Sequence, residues 1–140
     1  MIQNEPCCSE TDLTNPEKSQ LQVAGWGKFN KTTPLSDYLL ELQLNYVKSA
    51  DCENEFHSKG ARGFELRPSQ ICARGPPGKD SCLGDSGGPL MRFDLISGVY
   101  DVIGVTSFGT RACDSSTPGV YTKIFYYLDW INDFVLRNVK

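Results

Sequence analysis

The chain has 140 residues, of which 39% are hydrophobic and 22% are charged, and its formal net charge is −3. This is the composition of a globular protein with one modest core, and its acidic balance without a Lys/Arg cluster argues against nucleic-acid binding. No apolar run is long enough for a membrane-spanning helix, and the first residues lack the basic start and apolar stretch of a signal peptide.

The first elements in chain order are a polar segment, a loop and a strand. Residues 1–20 are polar and turn-rich, which predicts a loosely held tail or linker. Residues 28–36 are interpreted as an exposed loop, and residues 51–56 as one short helical turn. Between these two segments, apolar and polar residues alternate with the period of two that indicates a half-buried strand. Its apolar positions are Leu40, Leu42, Leu44 and Tyr46.

The C-terminal part predicts two further strands and a helix. Residues 100–108 and 119–124 have strand character, and Gly, Pro, Ser and Asn separate the strands at intervals typical of an antiparallel barrel. The last segment has apolar residues at helical spacing, which predicts one apolar stripe that packs on the barrel. The stripe consists of Tyr127, Trp130, Ile131, Phe134 and Val135.

The motif that carries chemistry is the hexapeptide Gly84-Asp85-Ser86-Gly87-Gly88-Pro89. Glycines on both sides of a serine allow a tight turn, where backbone N–H groups can converge on one point. Acyl transfer needs this combination of an exposed hydroxyl nucleophile and donors for a developing oxyanion. The alternative is an ordinary Gly-rich turn that contains Ser and Asp.

This block resembles the catalytic-serine segment of the trypsin/chymotrypsin family. Ala24-Gly25-Trp26-Gly27 is similar to the family's GWG segment, and the segments 106–109 and 118–121 are similar to the walls of its primary specificity pocket. The resemblance implies an all-β fold for residues 21–140: a six-stranded antiparallel barrel, the second of the family's two, with a C-terminal helix. Two-barrel enzymes need roughly 200–250 residues, so we interpret the chain as the C-terminal half of a peptidase domain.

The resemblance assigns Ser86 as the nucleophile and the backbone amides of Gly84 and Ser86 as the oxyanion hole. Asp85 matches the residue that pairs with the new amino terminus when the family's zymogens are cut. The sequence that normally forms this terminus is absent, since Met1-Ile2 does not match it.

Substrate recognition is also implied by resemblance. Asp80 matches the pocket floor, where an acid binds an Arg or Lys side chain, although an aspartate in a solvated loop is the alternative. Gly109 and Gly119 match pocket walls without side chains, and Ser107 to Gly109 would pair with substrate backbone as an added strand. Phe108 stands where the family usually has tryptophan.

His57 is the only histidine, and we expect it to be structural. The family's catalytic histidine precedes the GWG segment, whereas His57 follows it in a region that resembles a surface helix of the second barrel. The family's catalytic aspartate motif is missing as well. The 140-residue chain alone is therefore predicted to be inactive as a protease.

The six cysteines suggest an oxidising compartment and hence a secreted protein. The resemblance implies the pairs Cys52–Cys72 and Cys82–Cys113, while Cys7 or Cys8 would tether a prodomain as in clip-containing arthropod members. A zinc site is disfavoured because no Cys-x-x-Cys pair is present, and neither metal nor cofactor is expected. Asn30 begins a glycosylation sequon.

Three hypotheses follow from the sequence. The first is part of a secreted serine endopeptidase that acts after Arg or Lys, with protein substrates, serpin-type inhibitors and the missing N-terminal half as partners. The second is a non-catalytic homologue that binds or regulates other proteins, and the third is a truncated product without function. No nucleic-acid or membrane partner is expected.

Overall fold

In the computed structural model, six antiparallel strands close into a barrel in the order β1-β2-β3-β6-β5-β4. The structure describes residues 9–28, 32–109, 113 and 116–139. The strands are β1 (Ser19–Gly25), β2 (Leu40–Val47), β3 (Gln70–Arg74), β4 (Pro89–Asp94), β5 (Val99–Phe108) and β6 (Gly119–Lys123). The predicted fold, a six-stranded antiparallel barrel with a C-terminal helix, is confirmed.

Three α-helices lie around the barrel in the described part of the chain: α1 (Glu10–Thr14), α2 (Ser49–Ser58) and α3 (Leu128–Asn138). A short 3₁₀ helix, Ile124–Tyr127, leads from β6 into α3. Helix α2 contains the predicted turn at 51–56 and extends it at both ends. None of the helices in the described ranges has the length and apolarity that crossing a bilayer requires.

The barrel interior is filled by inward side chains of its strands, together with Leu13 of α1. Leu44 on β2 is buried and Leu42 and Tyr46 pack beside it, as the alternation predicts, whereas Leu40 at the start of the strand is exposed. Burial of these apolar side chains is the main driving force for closing the sheet. The other buried members of this core are Leu13, Leu21, Val23, Ile71, Ala73, Leu90, Ile103 and Tyr121.

The prediction of a loosely held tail at residues 1–20 is wrong over residues 9–20, the part that the structure describes. Ser9 caps α1 by accepting a hydrogen bond from the Asp12 N–H at 3.2 Å, and Leu13 is only 8% exposed within the core. The buried Ser19 hydroxyl donates to the Asp12 carbonyl at 2.7 Å, which joins the helix to the start of β1. The buried Leu13 and these side-chain hydrogen bonds help to order this polar segment.

The predicted packing of the C-terminal stripe is also wrong, although the helix itself forms. Trp130 and Phe134 on α3 are 66% and 58% exposed, and no residue of this helix is buried. Their rings stack on each other with centroids 6.2 Å apart. Ile131 of the stripe is half-buried, so within the described chain the stripe is only partly covered.

Candidate active site

The candidate nucleophile lies on a turn that is anchored to the barrel through β5. The Gly87 N–H donates to the Thr106 carbonyl, and the Thr106 N–H donates to the Gly88 carbonyl, both at 2.9 Å. Gly84 and Gly87 have φ of 102° and 83°, values that a side chain would make costly. Ser86 stands between them with an exposed side chain. The turn therefore presents one hydroxyl to solvent from a fixed backbone.

The two candidate oxyanion donors are available in this turn. Among the described residues, neither the Gly84 N–H nor the Ser86 N–H has an acceptor, whereas the Asp85 N–H between them donates to the Cys82 carbonyl at 3.0 Å. Gly84 has no room for a larger residue, because a Cβ there would lie 2.6 Å from Leu35 Cδ2 and 3.1 Å from the Gly27 Cα. Gly84 is therefore packed closely against Leu35 and Gly27, which fixes the position of the Gly84 N–H group.

The Asp85 carboxylate is half-buried under the turn and held by two backbone donors. Its Oδ1 accepts from the Gly27 N–H at 2.8 Å, and its Oδ2 accepts from the Cys82 N–H at 2.9 Å. Gly25 and Gly27 make room for it, since a Cβ on either glycine would lie 2.1 or 2.4 Å from its carboxylate oxygens. The partner implied by resemblance is an amino terminus. In this structure the partners are amides of the GWG segment and of the serine loop.

Asp80 and Asp85 line the same cleft, which has a volume of about 130 Å³. The cleft lies between the first two strands and the serine loop. Its polar rim also carries two lysines and Glu41 beside the small residues of β1. The lining residues are Val23, Ala24, Gly25, Gly27, Lys28, Leu40, Glu41, Leu42, Lys79, Asp80, Ser81 and Asp85.

Asp80 is half-buried, and one of its oxygens accepts from the Ser81 N–H at 2.8 Å. The Ser81 hydroxyl lies 3.1 Å from the hydroxyl of Tyr121, which is fully buried at the centre of β6. Burial raises the pKa of Tyr121, the hydrogen bond with Ser81 opposes the rise, and the negative charges of Asp80 and Asp85 add to it. Tyr121 is therefore a neutral partner beside two carboxylates.

The predicted pocket walls come together at the ends of β5 and β6. The strand register shifts between Thr106 and Phe108, which leaves Ser107 as the extra residue of a bulge. A Cβ on Gly109 would lie 3.5 Å from the Gly119 Cα, so the two glycines face each other closely. Phe108 is 44% exposed.

The described chain contains two disulfides, and both are the pairs that the resemblance implies. Cys82, directly before the serine turn, is bonded to Cys113, with Cα atoms 5.1 Å apart. Cys52 on α2 is bonded to Cys72 on β3, with Cα atoms 6.4 Å apart. Cys7, Cys8 and Asn30 lie outside the described residues.

His57 is engaged away from the serine turn. It is half-buried near the end of α2, and its Nε2 donates to the Phe64 carbonyl at 2.7 Å. Phe64 stacks on Phe56 with centroids 4.2 Å apart, and its edge faces Phe108 at 6.2 Å. The described ranges also contain no group of three or more His, Cys, Asp or Glu side chains that could hold a metal ion.

The residues that support the site from behind were not predicted from the sequence. Gly25 and Gly27 belong to the GWG segment, but this motif does not reveal their close approach to Asp85. The Ser81–Tyr121 pair was also missed. The Gly-Trp-Gly spacing was the available signal, since two glycines around one large residue indicate close approach of another group.

Comparison with known proteins gives a consistent set of matches. A sequence model of the family described as Trypsin matches residues 3–131. The "Phenoloxidase-activating enzyme" of Bombyx mori is 40% identical over 137 residues, which covers 92% of this chain and 31% of that protein. The "CLIP domain-containing serine protease B4" of Anopheles gambiae is 45% identical over 112 residues, which covers 79% of this chain and 29% of that protein. The chain thus spans less than a third of the length of either relative.

Proposed function

This chain belongs to the trypsin family, and we propose that in the complete protein it supplies the nucleophile half of a serine endopeptidase that cleaves after Arg or Lys. The observation that carries the proposal is the serine turn. An exposed Ser86 stands beside two backbone amides that have no acceptor in the described part of the chain, over a carboxylate that fixes the turn from below.

In the proposed reaction, Ser86 Oγ attacks the carbonyl carbon of the scissile peptide bond. A base outside this chain takes the hydroxyl proton and later returns it to the leaving amine. The negative charge that develops on the carbonyl oxygen is stabilised by the Gly84 and Ser86 N–H groups, and removal of one such donor typically costs about 10²–10³ in rate. Asp85 contributes by holding the turn rather than by touching the substrate.

Specificity for basic residues rests on Asp80 in this proposal. A carboxylate that is half-buried near the neutral Ser81–Tyr121 pair favours a cationic partner. The small residues Gly109 and Gly119 leave room for a long side chain. The backbone of Ser107 to Gly109 would pair with the substrate main chain, with the bulge at Ser107 setting the direction of Phe108.

We propose that the complete protein acts outside the cell on protein substrates. Two disulfides in the described chain support an oxidising location. The similar insect proteins are named as clip-domain proteases and as a phenoloxidase-activating enzyme, which supports a precursor-cleaving role. A prodomain joined through Cys7 or Cys8 and inhibitors of the serpin type are the partners that this role implies.

A fluorophosphonate probe tests the proposal, because it labels a serine that is activated by a base and an oxyanion hole. The full-length protein that contains this chain, once cut at its activation site, should be labelled at Ser86, and Ser86→Ala should abolish the labelling. His57→Ala should leave it intact. The 140-residue chain alone should react far more slowly.

Two outcomes would contradict the proposal. Full-length protein that folds and has been cut at its activation site but stays unlabelled would favour the non-catalytic homologue, a binding or regulatory protein. Rapid labelling of the isolated chain that is lost in His57→Ala would make His57 the base and overturn the assignment of the base to another segment.

A further inference from the structure

The loop that follows α2 has no role in the proposed reaction. At one end its Phe64 contacts Phe108, a residue of the proposed substrate wall formed by Ser107 to Gly109. At the other end its residues are exposed to solvent. Every residue from Ser58 to Gly63 is exposed. We propose that the Arg62–Gly63 bond is a cleavage site for an Arg-directed serine endopeptidase, and that cutting it weakens substrate binding at Phe108. The effect on substrate binding rests on the proposed function, whereas the cleavage does not.

The chain around this bond can enter a protease cleft by local opening. The Arg62 and Gly63 N–H groups make no hydrogen bond among the described residues, and the tip is closed by bonds from Gly60 to His57, from Ala61 to Phe56 and from Phe64 to Ala61. A Cβ on Gly63 would meet nothing within 4 Å. Because residues 58–63 are all exposed, the segment buries little apolar surface and lies at the low-stability end of the fold.

The other basic residues of this segment are less suited to cleavage. The Lys59 N–H caps α2 by donating to the Glu55 and Phe56 carbonyls at 3.2 Å, so cutting after it requires unwinding of the helix end. Arg67 is held in a turn in which its N–H donates to Gln70 Oε1 at 2.9 Å, and its carbonyl accepts from the Gln70 N–H. Pro68 follows Arg67 and lacks the N–H that an extended substrate offers.

Hydrolysis adds one water molecule across the amide bond, which leaves a carboxylate on Arg62 and an amino group on Gly63. The cut lies between Cys52 and Cys72, so their disulfide keeps the two pieces joined. Cleavage therefore changes the connectivity of the loop without releasing a fragment.

The new amino terminus lies directly before Phe64, the residue through which the loop contacts the substrate wall. Before cleavage, Phe64 is held by the His57 hydrogen bond to its carbonyl and by stacking on Phe56. Its ring meets Phe108 edge to face at 6.2 Å. Cleavage frees the N-terminal side of Phe64, while the Leu66 N–H still donates to Glu53 Oε1 at 2.8 Å. Phe108 then loses a fixed aromatic neighbour.

To test the site, the full-length protein that contains this chain is treated with trypsin at a low trypsin-to-protein ratio while its disulfides are intact. The products are then mapped by mass spectrometry. We expect a cut after Arg62 that separates two pieces only when the disulfides are reduced. Arg62→Gln should remove this cut, and the matched control Lys59→Gln should retain it. Absence of a cut after Arg62 while other bonds are cut, or separation without reductant, would overturn the proposed site.

Kinetics on an Arg-containing peptide then test the coupling. The cut form should show a KM about two- to tenfold higher at unchanged kcat, the range that an aromatic pair contributes. Equal KM values before and after cleavage would overturn the coupling. If the cut occurs but neither form hydrolyses any peptide, the proposed function fails together with the effect on substrate binding, and the cleavage site stands.

Discussion

Gly27→Ala tests whether the Asp85 carboxylate needs the space that the GWG segment leaves for it. A Cβ at position 27 would lie 2.4 Å from all three atoms of the carboxyl group, so the carboxylate must move. It would then lose its hydrogen bonds from the Gly27 and Cys82 N–H groups. Each bond to a charged group is worth about 1.5–3 kcal/mol, so losing both gives a predicted loss of about 3–6 kcal/mol in the free energy of unfolding.

Denaturant unfolding of the full-length protein measures this loss, with Gly63→Ala as the matched control. A Cβ at Gly63 meets nothing within 4 Å and its φ is not in the left-handed region, so the control should stay within about 0.5 kcal/mol of the unchanged protein. Amide exchange should report faster opening at Cys82 in Gly27→Ala alone. Equal stabilities of the two variants would refute the reasoning, because both would then show only the general effect of replacing glycine with alanine.

Three further predictions concern specificity, pH and the disulfide near α2. Asp80→Ser in the active full-length enzyme should lower kcat/KM for Arg peptides by about 10²-fold, the effect of about 3 kcal/mol from an unpaired guanidinium; equal cleavage after Arg and Phe by the unmodified enzyme would contradict the assignment. Because the folded pKa of Tyr121 is raised, its contribution to stability is fully present below the unfolded pKa of about 10 and is lost as the pH rises above that value. Unfolding measured between about pH 8 and 11 should therefore show an alkaline loss that Tyr121→Phe reduces, and an identical loss in both proteins would assign it to other groups. Replacing both Cys52 and Cys72 with Ala, which opens a loop with a sequence separation of 20, should cost about 3 kcal/mol; an unchanged unfolding midpoint would show that the loop is already ordered in the denatured chain.

The sequence predicted those parts of the fold whose physical cause lies within a few neighbouring residues. The alternation in β2 specifies which side chains face the barrel interior, because successive side chains of a strand point to opposite faces. The glycines around Ser86 specify a turn, because they are the residues that tolerate the left-handed φ found at positions 84 and 87. These signals need no knowledge of distant contacts.

The sequence failed where a local pattern does not identify its partner. The C-terminal stripe predicted α3 correctly, but helical amphipathicity does not say which surface the apolar face meets, and Trp130 and Phe134 are exposed. The prediction for residues 9–20 was wrong for the opposite reason. Leu13 is a single apolar residue in a polar segment, and the average composition of the segment does not show that this one side chain is buried. The sequence also does not predict which amides bind Asp85, because a backbone N–H donor is present at almost every position.

The short helix α1 also limits how far the N-terminal end of the protein can be trimmed. A version that starts at Ser19 would retain all six strands, yet it would lack the side chain that shields Leu21 and Leu44 from water at one mouth of the barrel. Loss of a fully buried leucine from an apolar contact costs about 1.5–3 kcal/mol. The functional boundary of the barrel therefore lies upstream of its first strand, and an engineered version of this half should begin no later than Ser9, the residue that caps the helix.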